Sequence, residues 1–274
     1  MTEPAFLGAV TAPSGVLAML DMGLLGAWRV DAGAHRAALA TAVAHGPSPF
    51  GIAGIEGVAI PELPRDRPLP VFGVRLEGGE FKGLWQAVFV EIQPGVEAAR
   101  TLEIGSVVVD TARLVLADAD ALGSWVHDEP IDGLADFVFW GRDAEAAAAA
   151  TGAPARGEGT FGWVDLAYAA AVERGMEVED HLDEHDLVFA TDFRPHSHHH
   201  RMLAQMRGSP SECGTLELGA ATLVGVFTMW GDGQFPVVLD VDSEGRPTRC
   251  AIYFATKQAM MALHSQKHAS EFDD

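Results

Sequence analysis

Two segments of this sequence resemble each other without a gap, at a distance of 97 residues. Residues 14–28 read SGVLAMLDMGLLGAW and residues 111–125 read TARLVLADADALGSW. A segment that recurs in this way predicts a chain built from two related β-rich units, 1–97 and 98–274. The alternative interpretation is a chance similarity between two stretches that are both rich in Ala, Gly and Leu.

The repeat matches one aspartate with another and one tryptophan with another. Asp21 corresponds to Asp118, and Trp28 corresponds to Trp125. Large aromatic side chains are common anchors of a protein core. If the two units are related, we therefore expect them to share a strand core, with the two tryptophans at equivalent buried positions.

Short β-branched or aromatic runs, bounded by Gly, Pro or Asp, predict strands in much of the chain. They lie at 85–92, 105–110, 112–118, 135–140, 221–230, 235–242 and 248–254. The residues Asp242-Ser243-Glu244-Gly245 have the chemistry of a tight turn, because Asp and Gly tolerate the backbone angles that a reversal needs. We therefore expect a β-hairpin over 235–254.

Helices are predicted in fewer places, and the segments that predict them are rich in Ala. They cover 34–45, 143–151, 164–174 and 255–268. Gly175 is expected to end the third of these helices. The Pro-rich segment 47–70 predicts an irregular crossing, and 152–160 predicts a loop.

Together these elements predict an α+β fold that is dominated by antiparallel sheets and carries a few Ala-rich helices. The second unit contains a His- and acid-rich stretch at about 143–210. We expect this stretch to form a partly helical insertion in that unit.

The composition excludes several classes of partner. Lys and Arg total 18 against 39 Asp and Glu, which leaves a formal charge of −21. Such a chain repels phosphate backbones and anionic lipid surfaces, so we expect neither nucleic acid nor a membrane as partner. Two cysteines are too few for a disulfide framework, and no basic residue precedes Arg29, as a secretory signal would require. A cytoplasmic location is the simplest expectation.

Six of the eleven histidines fall between residues 181 and 200, which makes this region the first candidate for a metal. His181-Leu182-Asp183-Glu184-His185 matches the H-x-x-E-H pattern of inverted zincins. In that pattern two histidines on one helical face hold zinc and the glutamate activates water. The surrounding carboxylates, and the lack of an evident third ligand, favour instead a solvated acidic loop or helix face.

The second group of histidines follows Pro195. A polar loop is the simpler interpretation of this run, and metal binding is the alternative. The candidate ligands in it are His196, His198 and His200.

A glycine-rich turn lies between two aromatic residues near the C-terminus. Gly231-Asp232-Gly233 separates Trp230 from Phe235. The turn lacks the helix and the Lys that usually accompany a phosphate-binding loop. Trp230, Asp232 and Phe235 are therefore candidates for the border of a small-molecule cleft.

The segment TMWGDGQFPVVLDVDSEGRPTRCAIYF (228–254) resembles the ending of the uncharacterised, bacterial DUF4241-like proteins, a G-D-G-x-[YF]-P-V run followed by D-x-D-x-x-G-R. The matching residues are Gly231, Asp232, Gly233, Phe235, Pro236, Asp242, Gly245 and Arg246. Phe235 replaces the Tyr that is more usual in that family. Residues 14–21 also resemble an S-G-x-[LIV]-x-x-x-D segment of the family, and in the second copy of this segment Thr111-Ala112 stands in place of Ser-Gly. The resemblance implies a β-rich intracellular bacterial protein and supplies no activity or catalytic residues.

Two functions fit these observations. The first is a non-enzymatic cytoplasmic protein that needs no cofactor and binds a basic protein, in the manner of an immunity or accessory protein. The second is a zinc-dependent hydrolase that uses His181, Glu184 and His185, with Asp192 or a residue of the 196–200 run as the further ligand. The metal content of protein purified without a metal column distinguishes them.

Overall fold

A computed structural model of the chain describes residues 3–30, 32–44, 46–52, 54–257 and 260. Most of the helix expected over 255–268 lies outside these residues. The chain forms two compact units, which divide it differently from the two sequence halves. Unit 1 consists of 1–125 together with 202–274, and unit 2 consists of 126–201.

The described residues in the first half of the chain contribute six strands and two helices to unit 1. In chain order these are β1 (Ala5–Val10), β2 (Leu17–Asp21), α1 (Leu25–Val30), α2 (Ala32–Val43), β3 (Ser48–Ile52), β4 (Ile55–Ile60), β5 (Leu69–Arg75) and β6 (Trp85–Glu91). A short 3-10 turn, Met22–Leu24, joins β2 to α1.

In the second half, the residues that the structure describes form ten strands and three helices. They are β7 (Arg100–Val109), β8 (Arg113–Asp118), β9 (Leu134–Trp140), α3 (Ala144–Thr151), β10 (Ala155–Gly157), β11 (Thr160–Ala167), α4 (Tyr168–His185), β12 (Ala190–Pro195), α5 (His198–Gly208), β13 (Cys213–Leu218), β14 (Ala221–Phe227), β15 (Gly233–Val241) and β16 (Pro247–Tyr253). The fold is therefore α+β and dominated by antiparallel sheets, as expected. The predicted hairpin is confirmed, because β15 and β16 pair antiparallel with Val237 opposite Ile252.

The described strands of unit 1 form two six-stranded sheets. The order is β1-β5-β6-β16-β15-β7 in sheet A and β13-β14-β8-β2-β4-β3 in sheet B. Taken in chain order, β1–β6 correspond to β7, β8, β13, β14, β15 and β16. When each strand is replaced by its counterpart, the order of each sheet is unchanged except that it is read from the opposite edge. In the centre of sheet B, Leu17 of β2 lies opposite Asp118 of β8, and Asp21 lies opposite Leu114. This register is symmetric under the 97-residue offset.

The larger core of unit 1 lies between the two sheets, and a smaller one covers the other face of sheet B. In β2, Leu17 and Met19 belong to the first core, whereas Ala18 and Leu20 belong to the second. Successive side chains of a strand point to opposite faces, so a strand that is covered on both faces reads as an unbroken apolar run. This is why β2 is buried along its whole length.

Helical segments cover the outer face of sheet B. Trp28 of α1 and Trp125, each 1% exposed, both lie in the smaller core. Met202 and Met206 of α5 also belong to it, and their sulfur atoms approach Gly225 of β14. A Cβ on Gly225 would lie 2.8 Å from Sδ of Met202, so glycine allows the helix to pack closely on the strand.

Unit 2 is built on a four-stranded sheet, sheet C, with the order β10-β11-β9-β12. Its own small core contains Phe137 and Phe139 of β9 together with residues of α3 and α4. Gly175 lies in the middle of α4, where an added Cβ would meet the ring of Phe137 at 3.2 Å. The prediction that Gly175 ends the helix was wrong, because here the glycine permits close packing of the helix on the sheet.

Two further expectations were wrong. The segment 47–70 is not an irregular crossing, because it contains β3 and β4. Pro49 is compatible with β3 because this strand lies at the edge of sheet B, where a missing amide is tolerated. The segment 152–160, expected to be a loop, contains the short strand β10.

Among the residues that the structure describes, no helix has both the length and the apolar character needed to cross a bilayer.

Candidate functional site

The HLDEH motif lies in the last turns of α4. The helix places His181 and His185 on one face, with ring centroids 4.2 Å apart, and Glu184 beside them is exposed. Nδ1 of His185 lies 3.1 Å from the backbone oxygen of His181. Asp192, the candidate further ligand, instead accepts a hydrogen bond of 2.7 Å from Arg194. The structure thus brings the two imidazoles together without Asp192.

The second histidine run does not form a loop. Ser197 is fully buried, its hydroxyl accepts a hydrogen bond from the amide of His200, and α5 begins at His198. A serine before the first turn satisfies an amide that the helix itself leaves without a partner. The prediction of a polar loop was therefore wrong, since the helix starts inside the histidine run.

His198 connects the two ends of unit 2 through hydrogen bonds with Val126. The amide of Val126 donates to Nδ1 of His198 at 2.9 Å, and the amide of His198 donates to the oxygen of Val126 at 3.0 Å. Burial, together with the positive charge of Arg201, lowers the pKa of His198 below its usual value. A neutral imidazole suits the acceptor role of Nδ1 at this position.

His196 lies among three carboxylates at one end of sheet C. Its Nδ1 is 3.1 Å from Oδ2 of Asp132, and its Nε2 is 3.1 Å from Oδ1 of Asp136 and 3.9 Å from Oδ1 of Asp165. Arg201 approaches the same Oδ2 of Asp132 at 2.7 Å. We call Asp132, Asp136, Asp165 and His196 the His196 cluster.

Opposing effects set the ionisation of this cluster. Partial burial lowers the pKa of His196, but the hydrogen bonds and charges of Asp136 and Asp132 outweigh it and raise the pKa above its usual value. Burial likewise opposes ionisation of Asp132. The amide of Leu134, His196 and Arg201 together lower the pKa of that carboxyl overall. The charged forms of the neighbours thus support each other: the carboxylates raise the pKa of the imidazole, and the imidazole lowers the pKa of Asp132.

Sequence reasoning identified His196 but missed its three carboxylate partners. Asp136 and Asp165 are 29 residues apart, and they meet because β9 and β11 are neighbours in sheet C. No local spacing marks such a pair. The only usable signal was an aspartate inside each of two predicted elements, at 135–140 and 164–174.

The candidate cleft residues near the C-terminus serve the core and a turn of unit 1. Trp230 is buried and donates from Nε1 to the backbone oxygen of Trp85 at 2.7 Å. Phe235 is also buried and packs edge-on against Phe254. Asp232 is exposed, and its carboxylate accepts a hydrogen bond from the amide of Ala112. These contacts give all three residues a structural role.

Comparison of the chain with models of protein families, with curated proteins and with solved structures found no match. Membership of the DUF4241-like family stays a prediction.

Proposed function

We propose that this is a cytoplasmic protein that binds a basic protein partner, and that unit 2 is its recognition module. The charge of unit 2 supports this most directly. Its 76 residues contain sixteen Asp and Glu against five Arg and no Lys, a net charge of −11. More than half of the chain's charge of −21 is thus concentrated in about a quarter of its length.

Apolar side chains are also exposed in unit 2. Five of the nine large apolar side chains that the described residues leave exposed belong to it: Ile131, Trp140, Tyr168, Met176 and Val188. Met176 is 59% exposed on α4. Protein interfaces combine such anchors with complementary charge at the rim, which steers association and raises the on-rate.

The exposed side of α4 combines the two features. Glu173, Glu177, Asp180 and Glu184 follow one another at helical spacing beside Met176, and we call these four residues the acidic stripe. All four are exposed. A basic surface that docks on this side would meet a row of carboxylates with an exposed apolar side chain next to it.

The position of unit 2 in the chain supports the same role. The two sheets of unit 1 are symmetric in strand order, and unit 2 is inserted in the second half only, between β8 and β13. In the corresponding connection of the first half, between β2 and β3, the described residues form a 3-10 turn, α1 and α2. An insertion into one copy of a repeated scaffold is a natural place for a specific function.

The test uses a partner captured from cell extract, identified and then purified. Binding to it is measured for the wild type and for a variant that neutralises part of the acidic stripe, Glu173→Gln, Glu177→Gln and Asp180→Asn. A matched variant of unit 1, Asp66→Asn, Glu97→Gln and Glu103→Gln, loses the same charge. We expect the stripe variant to bind at least about tenfold more weakly, mainly through a slower association rate that also falls with salt. An equal loss in both variants would contradict the proposal.

The zinc hydrolase remains the second candidate, because α4 does place His181 and His185 on one face. Stoichiometric zinc in protein purified without a metal column, with a hydrolytic activity that disappears in Glu184→Gln, would favour it. Retention of the stripe-dependent protein binding in His181→Ala with His185→Ala, which removes both imidazoles and leaves the acidic stripe intact, favours the binding protein.

A further inference from the structure

The His196 cluster presents three metal-ligating side chains to one point. Within the described ranges, Asp136, Asp165 and His196 form the one group of three His, Cys, Asp or Glu residues whose ligand atoms all lie within 4.8 Å of one another. They come from adjacent strands, since Asp136 lies on β9, Asp165 on β11 and His196 directly after β12. His181 and His185, on α4, are not part of this group.

A bulge in β11 aims Asp165 at the cluster. Trp163 pairs with Phe137 and Leu166 with Ala135, so β11 contains one residue more than β9 over this stretch. Asp165 has a φ of 54°, and its amide donates to Oδ1 of Asp136 at 2.9 Å. An extra residue of this kind redirects a side chain that would otherwise continue the alternation of the strand.

Asp132 holds the imidazole of His196 in a set orientation. Its carboxylate accepts from Nδ1, which leaves the lone pair of Nε2 directed towards Asp136 and Asp165 when the ring is neutral. Arg201 in turn holds Asp132. A histidine that binds a metal through one nitrogen usually donates from the other to a carboxylate, which fixes the ring and strengthens the ligand.

Distances and charge both fit a divalent ion. Ligand atoms that share a zinc ion at about 2.0–2.2 Å lie about 3–3.5 Å from each other. Nε2 and Oδ1 of Asp136 are 3.1 Å apart, and the side chain of Asp165, 73% exposed, can rotate to shorten its 3.9 Å separation. The three carboxylates exceed Arg201 by two negative charges, which one divalent cation bound beside a neutral His196 neutralises.

We propose that Asp136, Asp165 and His196 bind one divalent transition-metal ion of the zinc class, with Asp132 as the positioning residue. An imidazole ligand favours zinc and its neighbours over magnesium or calcium, whose ligands are oxygens. Three protein ligands leave room for water on the exposed side of the ion. The site is independent of the acidic stripe and of the HLDEH motif.

The test uses the full chain, produced without a His-tag and stripped with a chelator. Zn²⁺ is titrated by calorimetry, Co²⁺ by its visible absorption, and ¹⁵N-histidine NMR follows the ring nitrogens of His196. We expect about one equivalent of tight binding that shifts Nε2 of His196. Asp165→Asn, at an exposed position, should weaken binding at least about tenfold, and Asp132→Asn by about 10- to 100-fold.

The control variant, His181→Ala with His185→Ala, should bind this equivalent as the wild type does. Binding that survives Asp165→Asn would come from the α4 pair or from the 198–200 run, and it would overturn the proposal. The absence of binding in the wild type, or loss of binding in the α4 control, would overturn it equally. An imidazole that serves only as a protonated bridge between Asp132 and Asp136 would show no metal-dependent shift of Nε2.

Discussion

The carboxylate of Asp118 accepts hydrogen bonds from both the amide and the hydroxyl of Ser14, at 2.8 and 2.7 Å. The residues that correspond to these two in the repeat make the same contacts. Asp21 accepts hydrogen bonds from the amide and the hydroxyl of Thr111, at 2.9 and 2.6 Å. Each aspartate ends its own central strand of sheet B and holds the turn before the central strand of the other half. The two halves of unit 1 are thus tied together by a reciprocal pair of buried carboxylates.

Removing either aspartate should destabilise unit 1 strongly. Asp118 also accepts from the amides of Asp120 and Ala121, so Asp118→Ala leaves several donors without a partner. We expect Asp118→Ala and Asp21→Ala each to lower the free energy of unfolding by at least about 3 kcal/mol, measured by urea denaturation. Asp120→Ala is the control, because this side chain is exposed and makes no capping hydrogen bond. A loss in the control as large as in Asp118→Ala would contradict the assignment.

The two matched tryptophans should be equally important for stability. Trp28→Ala and Trp125→Ala each open a cavity in the core that covers sheet B, and we expect a loss of about 3–5 kcal/mol in each. Trp140→Ala provides the comparison, because Trp140 is 40% exposed at the end of β9 and its removal should cost less than about 1 kcal/mol. Denaturant unfolding followed by circular dichroism measures all three. A small effect at Trp28 or Trp125 would argue against equivalent anchoring roles.

Unit 2 should be removable without unfolding unit 1. The chain enters and leaves unit 2 at neighbouring points, because Val126 and His198 exchange two hydrogen bonds. The described residues of both unit 1 cores come from outside 126–201. Replacement of 127–197 by a short Gly/Ser linker should therefore retain the β-sheet spectrum and a cooperative transition.

Deletion of α2 is the matched control for this excision. Leu39 and Ala42 of α2 belong to the core on sheet B, so we expect that deletion to abolish cooperative unfolding. The expectation would be contradicted if the protein without 127–197 aggregated while the protein without α2 still unfolded cooperatively.

Stability should depend on acid pH through Asp242. The amide of Arg246, with its guanidinium and the amide of Glu244, holds the pKa of this carboxyl below its usual value of 3.8, against the opposing effect of burial. A carboxyl with a lowered pKa in the folded state stabilises the protein above its unfolded pKa. That contribution is lost as the pH falls through the folded pKa.

The difference in unfolding free energy between the wild type and Asp242→Asn should therefore be largest near pH 6 and shrink below about pH 4. Arg246→Met removes the guanidinium and keeps the two amides, so it should show a smaller pH-dependent loss. Urea unfolding at several pH values measures both. A difference that grows towards low pH would contradict this role of Asp242.

Local patterns predicted much of the fold correctly. The period-two run 235–242, the turn at Asp242–Gly245 and the strand 248–254 required only neighbouring residues, and β15 and β16 form the expected hairpin. The same holds for the α+β class and for the start of α3 near residue 144. In these segments propensity, hydrophobic alternation and turn chemistry all favour one structure.

Elements that depend on distant partners were not predictable in this way. Gly175 could end a helix or pack against a neighbour, and only the ring of Phe137 decides which. Pro49 is compatible with a strand only because β3 lies at a sheet edge.

The His196 cluster shows the same limit at a candidate site. The sequence places a histidine after Pro195, but the order of strands in sheet C and one bulge in β11 bring Asp136 and Asp165 to its ring. Side-chain periodicity and turn chemistry act over a few residues and can be read from the chain. A site assembled by pairing between strands depends on register and packing, which exist only once the sheet has formed.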